Sequence, residues 1–340
     1  MAFPDFAKPK ALFVNAPHRV PDEDLIKLNE LVDAYVIQQD RHDVLAERIR
    51  RAVAENGPFI AYVQFTDWWN LPEPWPLDEK LLSPLVDTGC KMFTCPGAGY
   101  DWADVEYLTS KGCYFANTPK SPALRTADST AMMILQALRG SSEREADARA
   151  GRWYDSTKPL AKDARSSVLG ILGLGTIGKL VSEHMQHFGM KVIYHNRTRL
   201  PPEEENGAEY VSFDQLLALS DVISLHCPLN ESTRHLFNEQ VFENMKDGMI
   251  IVNTARGAVI DEDALVKALD SGKVLRAALD VFEFEPRIHS GLVSSPHTTL
   301  YPHCAVANET FLRDQRLEVL LNLKTFIETG KPVNAVNVLI

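Results

Sequence analysis

Short apolar runs and amphipathic stretches alternate along the whole chain, and their two periodicities separate strands from helices. In the first third, ALFVNA (11–16, closed by Pro17), AYVIQQ (34–39), FIAYVQF (59–65), KMFTC (91–95) and CYFANTP (113–119) read as strands. Between them, DLIKLNELV (24–32), DVLAERIRRAVAENG (43–57), DEKLLSPLVDTG (78–89) and a stretch near 102–111 carry apolar residues at helical spacing, and Gly57 gives the second a stop. A Trp- and Pro-rich loop, DWWNLPEPWP, breaks the series after the third strand. From Pro122 to Arg139 an Ala- and Met-rich segment predicts one long helix crossing between two domains. A second series follows: VLGILGLG, VIYHNR, DVISLHCP, MIIVNTARG and LRAALDVF, each separated by a helical stretch. A final helix is expected over about 304–329, with GKPVNAVNVLI returning to the first domain. Strands alternating with helices predict parallel sheets covered on both faces, an α/β protein.

With 340 residues, two domains are the expectation. Acidic residues outnumber basic ones, 46 to 35, for a formal net charge of −11. That balance argues against a nucleic-acid footprint and against anionic membrane surfaces. The five cysteines are odd in number and never spaced as CxxC, so they read as buried thiols in a reducing compartment and not as a disulfide frame or a metal site. The opening MAFPDFAKPK lacks the apolar core of a secretory signal, no run reaches membrane-spanning length, and the last residues are no peroxisomal tripeptide. A cytoplasmic protein is expected. The EEE at 203–205 reads as a solvated loop.

Candidate chemistry begins at Gly173, Gly175 and Gly178, a GxGxxG spacing with an apolar run before it, a helix through it and VIYHN after it. Gly173 suits the tight turn, Gly175 lets backbone approach a pyrophosphate, and Gly178 lets helix and strand pack closely. The helix N-terminus offers the N–H groups of Thr176 and Ile177 to phosphate oxygens. This predicts a dinucleotide site. Where a carboxylate for an NAD ribose is usual, the chain has Asn196, Arg197 and Thr198, with Arg199 next. An amide, a hydroxyl and guanidinium groups suit a 2′-phosphate, so NADP(H) is expected to be preferred, with NAD possible.

Three more polar groups fall after later apolar runs: Arg256, Glu285 and His297. A guanidinium fork can hold the carboxylate of a 2-oxo acid and polarise its ketone. A histidine can supply the proton as hydride reaches carbon, and a neighbouring carboxylate stabilises the imidazolium. Glu283, two residues before Glu285, competes with it for that last role.

Taken together, PGAGYDWADVEYLTSKGCYFANTP, GRWY, LGILGLGTIGK, DVISLHCPLNESTRHLFN, MIIVNTARGAVIDEDAL, AALDVFEFEP and SPH resemble the D-isomer-specific 2-hydroxyacid dehydrogenases over almost the whole chain. The resemblance implies catalytic roles for Arg256, Glu285 and His297, and it selects Glu285 over Glu283. It places Asp280 near the nicotinamide and Cys227, Pro228, Thr254 and Ala255 along the cofactor. It assigns Gly97, Ala98 and Gly99 to the substrate carboxylate, and Thr66 and Trp68 to the border of the substrate side chain. Trp68 and Trp69 could line a pocket for aromatic or branched 2-oxo acids or serve as lid or dimer contacts. It further implies a flavodoxin-like substrate domain (1–119 and 304–340), a central Rossmann domain (120–303) with the crossing helix at about 122–139, and a homodimer. Two departures stand out: His297 is followed by Thr298 and Thr299 where an apolar residue and Gly are usual, and Asp128 stands where Glu is common.

Other readings are weaker. An L-lactate or malate dehydrogenase would open with its glycine turn, and formate dehydrogenases carry Gln at the position of Glu285. A cofactor-sensing corepressor-like scaffold would share the fold, but this chain lacks long disordered tails and a basic import run.

Overall fold

The computed structural model describes residues 8–65, 75–153 and 160–339. Backbone contacts divide the chain into two units, Met1–Pro122 with Asn308–Ile340, and Ala123–Ala307. In the first unit, β1 (Lys10–Val14), α1 (Asp22–Leu31), β2 (Asp33–Ile37), α2 (His42–Asn56), β3 (Ala61–Gln64), α3 (Glu79–Val86), β4 (Met92–Thr94), α4 (Val105–Ser110) and β5 (Tyr114–Ala116) follow in order. The strands form one sheet in the order β2-β1-β3-β4-β5, and every pair is parallel. That is the flavodoxin-like arrangement.

The crossing helix, α5, runs Lys120–Arg139 and is followed directly by α6 (Ser141–Arg149). The second unit then continues with β6 (Val168–Leu172), α7 (Thr176–His187), β7 (Lys191–His195), β8 (Glu209–Tyr210), α8 (Phe213–Leu219), β9 (Val222–Leu225), α9 (Glu239–Asn244), β10 (Met249–Asn253), α10 (Glu262–Asp270), β11 (Val274–Leu279), α11 (Ser290–Ser294) and β12 (Thr298–Leu300). Its sheet runs β12-β11-β10-β9-β6-β7-β8, again parallel throughout. Strand order reverses between β6 and β9, and in such open sheets a ligand crevice lies beyond the carboxyl ends at that point. β9 and β10 are buried along their whole length because helices cover each side of the sheet.

The last helix, α12 (Phe311–Thr329), belongs to the first unit. It packs Val319, Leu323 and Phe326 against Phe13, Val63 and Met92. Glu318 of this helix accepts from the N–H groups of Lys120 and Ser121 (3.1 and 2.8 Å), and Asn322 donates to the Asn117 carbonyl (2.8 Å). α12 begins seven residues later than the apolar spacing predicts. Residues 304–310 are irregular, and the carboxylate of Asp280 takes up the N–H groups of Cys304 and Ala305.

Candidate functional site

The glycine turn sits at the reversal point of the seven-stranded sheet, joining β6 to α7. Gly173 has φ +100°, and a Cβ there would lie 2.8 Å from the carbonyl carbon of His226 and 2.9 Å from the nitrogen of Cys227. Only glycine allows the ends of β6 and β9 to approach so closely. A Cβ on Gly178 would collide with the Gly173 carbonyl, so the third glycine sets how closely α7 lies on its strand. At Gly175 a Cβ would meet nothing within 4 Å, and no side chain caps α7. Open space in front of uncapped N–H groups at Thr176 and Ile177 suits a pyrophosphate, so the residues fit a dinucleotide.

Asn196, just past the end of β7, accepts the Leu174 N–H on its Oδ1 (2.7 Å). It therefore braces the turn. Arg199 is held by Glu205 (2.7 Å) and lies over the Tyr210 ring at 5.8 Å. Arg197 and Thr198 are exposed, and among the described residues no carboxylate pairs with Arg197. Behind the turn, burial pushes the His226 imidazole down to about 4 and the Cys227 thiol up to about 11, so both stay neutral at physiological pH. His226 bonds Ser224 Oγ at 2.8 Å.

Three loops of the second unit bring chemistry to the carboxyl ends of β10, β11 and β12. After β10, buried Asn253 grips the Arg256 loop at two points, donating to the Arg256 carbonyl (2.8 Å) and accepting from the Ala255 N–H (3.0 Å). Thr254 shares a hydroxyl hydrogen bond with Thr130 at 2.8 Å. Gly257 packs so closely on the Phe282 carbonyl that no side chain fits between them.

After β11 come Asp280 and Glu285. One Glu285 oxygen accepts from the Phe282 N–H (3.0 Å), and the other meets Nδ1 of His303 at 2.7 Å. Burial alone would raise Glu285, but the bond and charge of His303, the Phe282 N–H and the Arg256 cation hold it below the usual carboxylate range. His303 lies past the end of β12 with φ +51°, a strained conformation held by its N–H bonds to the carbonyls of Asp280 (2.8 Å) and Tyr301 (3.0 Å). Asp280 is 2% exposed, and burial raises it to about 6 despite the Cys304 and Ala305 N–H groups it accepts.

His297 is elsewhere. It precedes β12 and so stands at the amino-terminal edge of the parallel sheet, where its carbonyl accepts from the Ala277 N–H. Its Nδ1 bonds Glu143 of α6 at 3.0 Å, and the same carboxylate oxygen takes Arg276 Nε at 2.7 Å. Burial would raise Glu143, but Arg276 and His297 hold it below its ordinary value. Up to about 20 Å of extended chain separates the two histidines. The pairing expected of Glu285 with His297 is therefore corrected: Glu285 pairs with His303. The sequence holds two Pro–His pairs, Pro296–His297 and Pro302–His303, and only the second follows the carboxyl end of a strand. Thr298 and Thr299 follow His297 because they are strand residues, which accounts for the departure seen there.

In the first unit, the turn after β4 places Gly97 at φ +109°. Its N–H is already bonded to Thr118 Oγ1 (2.7 Å), and the Ala98 carbonyl accepts from Asn117 (2.7 Å). Among the described residues, nothing accepts from the N–H groups of Ala98 and Gly99, so these two, and not Gly97, are the donors open to an anion. Thr66 and Trp68 lie outside the described residues, as does Trp69. Just before them, Phe65 packs at 5.5 Å under the fully buried guanidinium of Arg316, a cation that the sequence reading passed over.

Residues 131–305 match the family model described as D-isomer specific 2-hydroxyacid dehydrogenase, NAD binding domain. Among curated proteins, 4-methyl-2-oxopentanoate reductase A of Aspergillus oryzae is 48% identical over 261 residues, covering 77% of this chain and 79% of that one. The crystal structure of a glyoxylate reductase from Paecilomyes thermophila superposes with a TM-score of 0.88 at 38% identity, over 97% of this chain and 98% of that one. The apo form of Rhodotorula graminis D-mandelate dehydrogenase gives 0.88 at 32% identity, over 98% and 99%.

Proposed function

This chain belongs to the D-isomer-specific 2-hydroxyacid dehydrogenases, NAD(P)-dependent oxidoreductases, and from that premise we propose that it is an NADPH-preferring 2-oxoacid reductase with His303 as its acid/base. The observation that carries the reading is the 2.7 Å bond between Glu285 and His303, past the carboxyl ends of β11 and β12. With Nδ1 engaged by the carboxylate, Nε2 is the nitrogen left to give a proton to the carbonyl oxygen of a 2-oxo acid. A bound reduced nicotinamide supplies the hydride to the carbonyl carbon. Arg256 offers a guanidinium that holds the substrate carboxylate and polarises the ketone. Glu285 keeps the imidazole oriented and stabilises its charged form. Asp280 holds the backbone that follows His303.

The 2′-phosphate preference rests on Arg197 and Thr198, since Glu205 already engages Arg199. Relatives named for glyoxylate, 4-methyl-2-oxopentanoate and D-mandelate support a substrate range from the smallest 2-oxo acid to branched and aromatic ones. The net charge of −11 and the free cysteines, three of them buried, suit a cytoplasmic protein that acts on a small acid and not on a nucleic acid or membrane, and the family membership carries the expectation of a homodimer.

The test is a panel of glyoxylate, hydroxypyruvate, 4-methyl-2-oxopentanoate and phenylglyoxylate, each with NADPH and NADH, followed by chiral analysis of the product. A D-2-hydroxy acid formed faster with NADPH is expected. Cofactor binding without turnover on any of the four would overturn the reading.

A further inference from the structure

Glu283 and Glu285 lie two residues apart, and the structure gives each its own histidine. Glu285 takes His303, whereas Glu283, only 10% exposed at its side chain, takes Nε2 of His235 at 2.7 Å. The two pairs do different work. His235 sits in the loop between β9 and α9 with φ +49°, and its backbone N–H bonds the carbonyl of Ala258 (2.8 Å), two residues beyond Arg256. The next bonds continue that zipper, Phe237 N–H to the Val259 carbonyl (3.1 Å) and Asp261 N–H to the Phe237 carbonyl (3.0 Å). His235 thus grips the Arg256 loop by its backbone and the Glu285 loop by its ring.

The two gripped loops also press directly on each other, with Gly257 against the Phe282 carbonyl. On the far side, the Glu283 N–H bonds Oε1 of buried Glu262 in α10 (2.9 Å), so the Glu285 loop is fastened from two directions. Arg234 reaches the Glu283 carboxylate only at 3.7 Å and from an exposed position.

We propose that the His235–Glu283 pair is a positioning device that sets the spacing between the guanidinium of Arg256 and the Glu285–His303 pair. It rests on the function proposed above and adds to it a residue that touches neither substrate nor cofactor. A guanidinium and a proton donor acting on one carbonyl tolerate little displacement, because misplacement by an ångström lowers the rate of the chemical step. The pair makes no contact with the turn after β6, where the dinucleotide phosphates are expected to bind, so cofactor affinity should change far less than turnover.

His235→Leu removes the ring bond, whereas His235→Gln keeps an N–H near the position of Nε2. The leucine variant is expected to lose about tenfold in kcat while the Kd for NADPH, titrated by fluorescence without substrate, stays within about twofold. The glutamine variant is expected to recover most of that loss. In the double variant with Glu283→Leu, kcat should fall no further than in His235→Leu alone, as for two groups acting through one contact. Hydrogen exchange at residues 256–260 and 282–286 should quicken in His235→Leu. Glu283→Leu, which cuts the same bond from the other side, replaces it should His235→Leu fail to fold. An unchanged kcat, a glutamine variant as impaired as the leucine one, or losses that multiply in the double variant would each overturn the proposal. If the wild-type protein turns over no 2-oxo acid, the function proposed above falls, and hydrogen exchange still judges the pair.

Discussion

His303 owes its place to backbone, not to its ring. Asp280 accepts the N–H of His303 on its carbonyl and the N–H groups of Cys304 and Ala305 on its carboxylate, so one buried residue shapes the whole turn. His303→Ala should lower kcat by about 1,000-fold with NADPH affinity unchanged, the scale of a lost acid/base group. His297→Gln should leave kcat within about threefold and cost no more than about 1 kcal/mol of stability, since the Glu143 contact is partly exposed. Steady-state kinetics on the two variants separates the histidines, and a large kcat loss in His297→Gln would contradict the assignment. Asp280 carries a pH signature as well. Burial lifts it from 3.8 to about 6, so below pH 4 folded and unfolded chains both hold its proton. Between pH 4 and 6 the unfolded chain releases that proton and the folded one keeps it. Stability relative to Asp280→Asn should therefore fall by on the order of 3 kcal/mol as pH rises across that window, then level off. Denaturant unfolding of both proteins at pH 4, 5, 6 and 7 reads the difference, and a flat difference would contradict the account. At this scale the glycines, Arg256 and Glu285 were legible because each has a demanding local role. The histidine that pairs with Glu285 was not, since a Pro–His pair says nothing about which end of a strand it occupies.

Among the glycine contacts of the described residues, the closest joins the loop after β10 to the loop after β11, where Gly257 meets Phe282. Gly257→Ala has no room for its methyl group, and the Arg256 loop must shift to admit it. Loss of turnover by at least about 100-fold is expected, with NADPH binding retained. A fully active, folded Gly257→Ala protein would show that the junction is looser than it looks. Most strands and long helices were readable from apolar spacing. α6 was not: SSEREADAR has no apolar stripe and buries none of its residues, so periodicity had nothing to report. It exists because Gly140, with φ +61°, ends α5 and because Glu143 reaches Arg276 and His297. A helix held by an ion-pair network leaves no hydrophobic trace in the sequence. The start of α12 was misplaced for a related reason, as the competing partner of residues 304 and 305 is a carboxylate some twenty-five positions earlier.

For the molecule as a whole, the consequential fact is that one unit is assembled from both ends of the chain. Val319, Leu323 and Phe326 of α12 complete the face formed by Phe13, Val63 and Met92, and each such side chain is worth about 1.5–3 kcal/mol when buried. Their sum rivals the typical net stability of a domain, about 5–15 kcal/mol. Deleting residues 311–340 should leave the segment before Pro122 digestible by protease, while a fragment close to 123–307 survives and still binds NADPH without turnover. Equal resistance of both parts would contradict this. The same layout orders events on the ribosome. The central unit has its full complement of strands before α12 is made, whereas the five-stranded sheet must wait, one apolar side covered only in part by α1, through the translation of some two hundred residues. Chaperone dependence during synthesis should therefore map to the amino-terminal third of the chain and end when the last helix emerges.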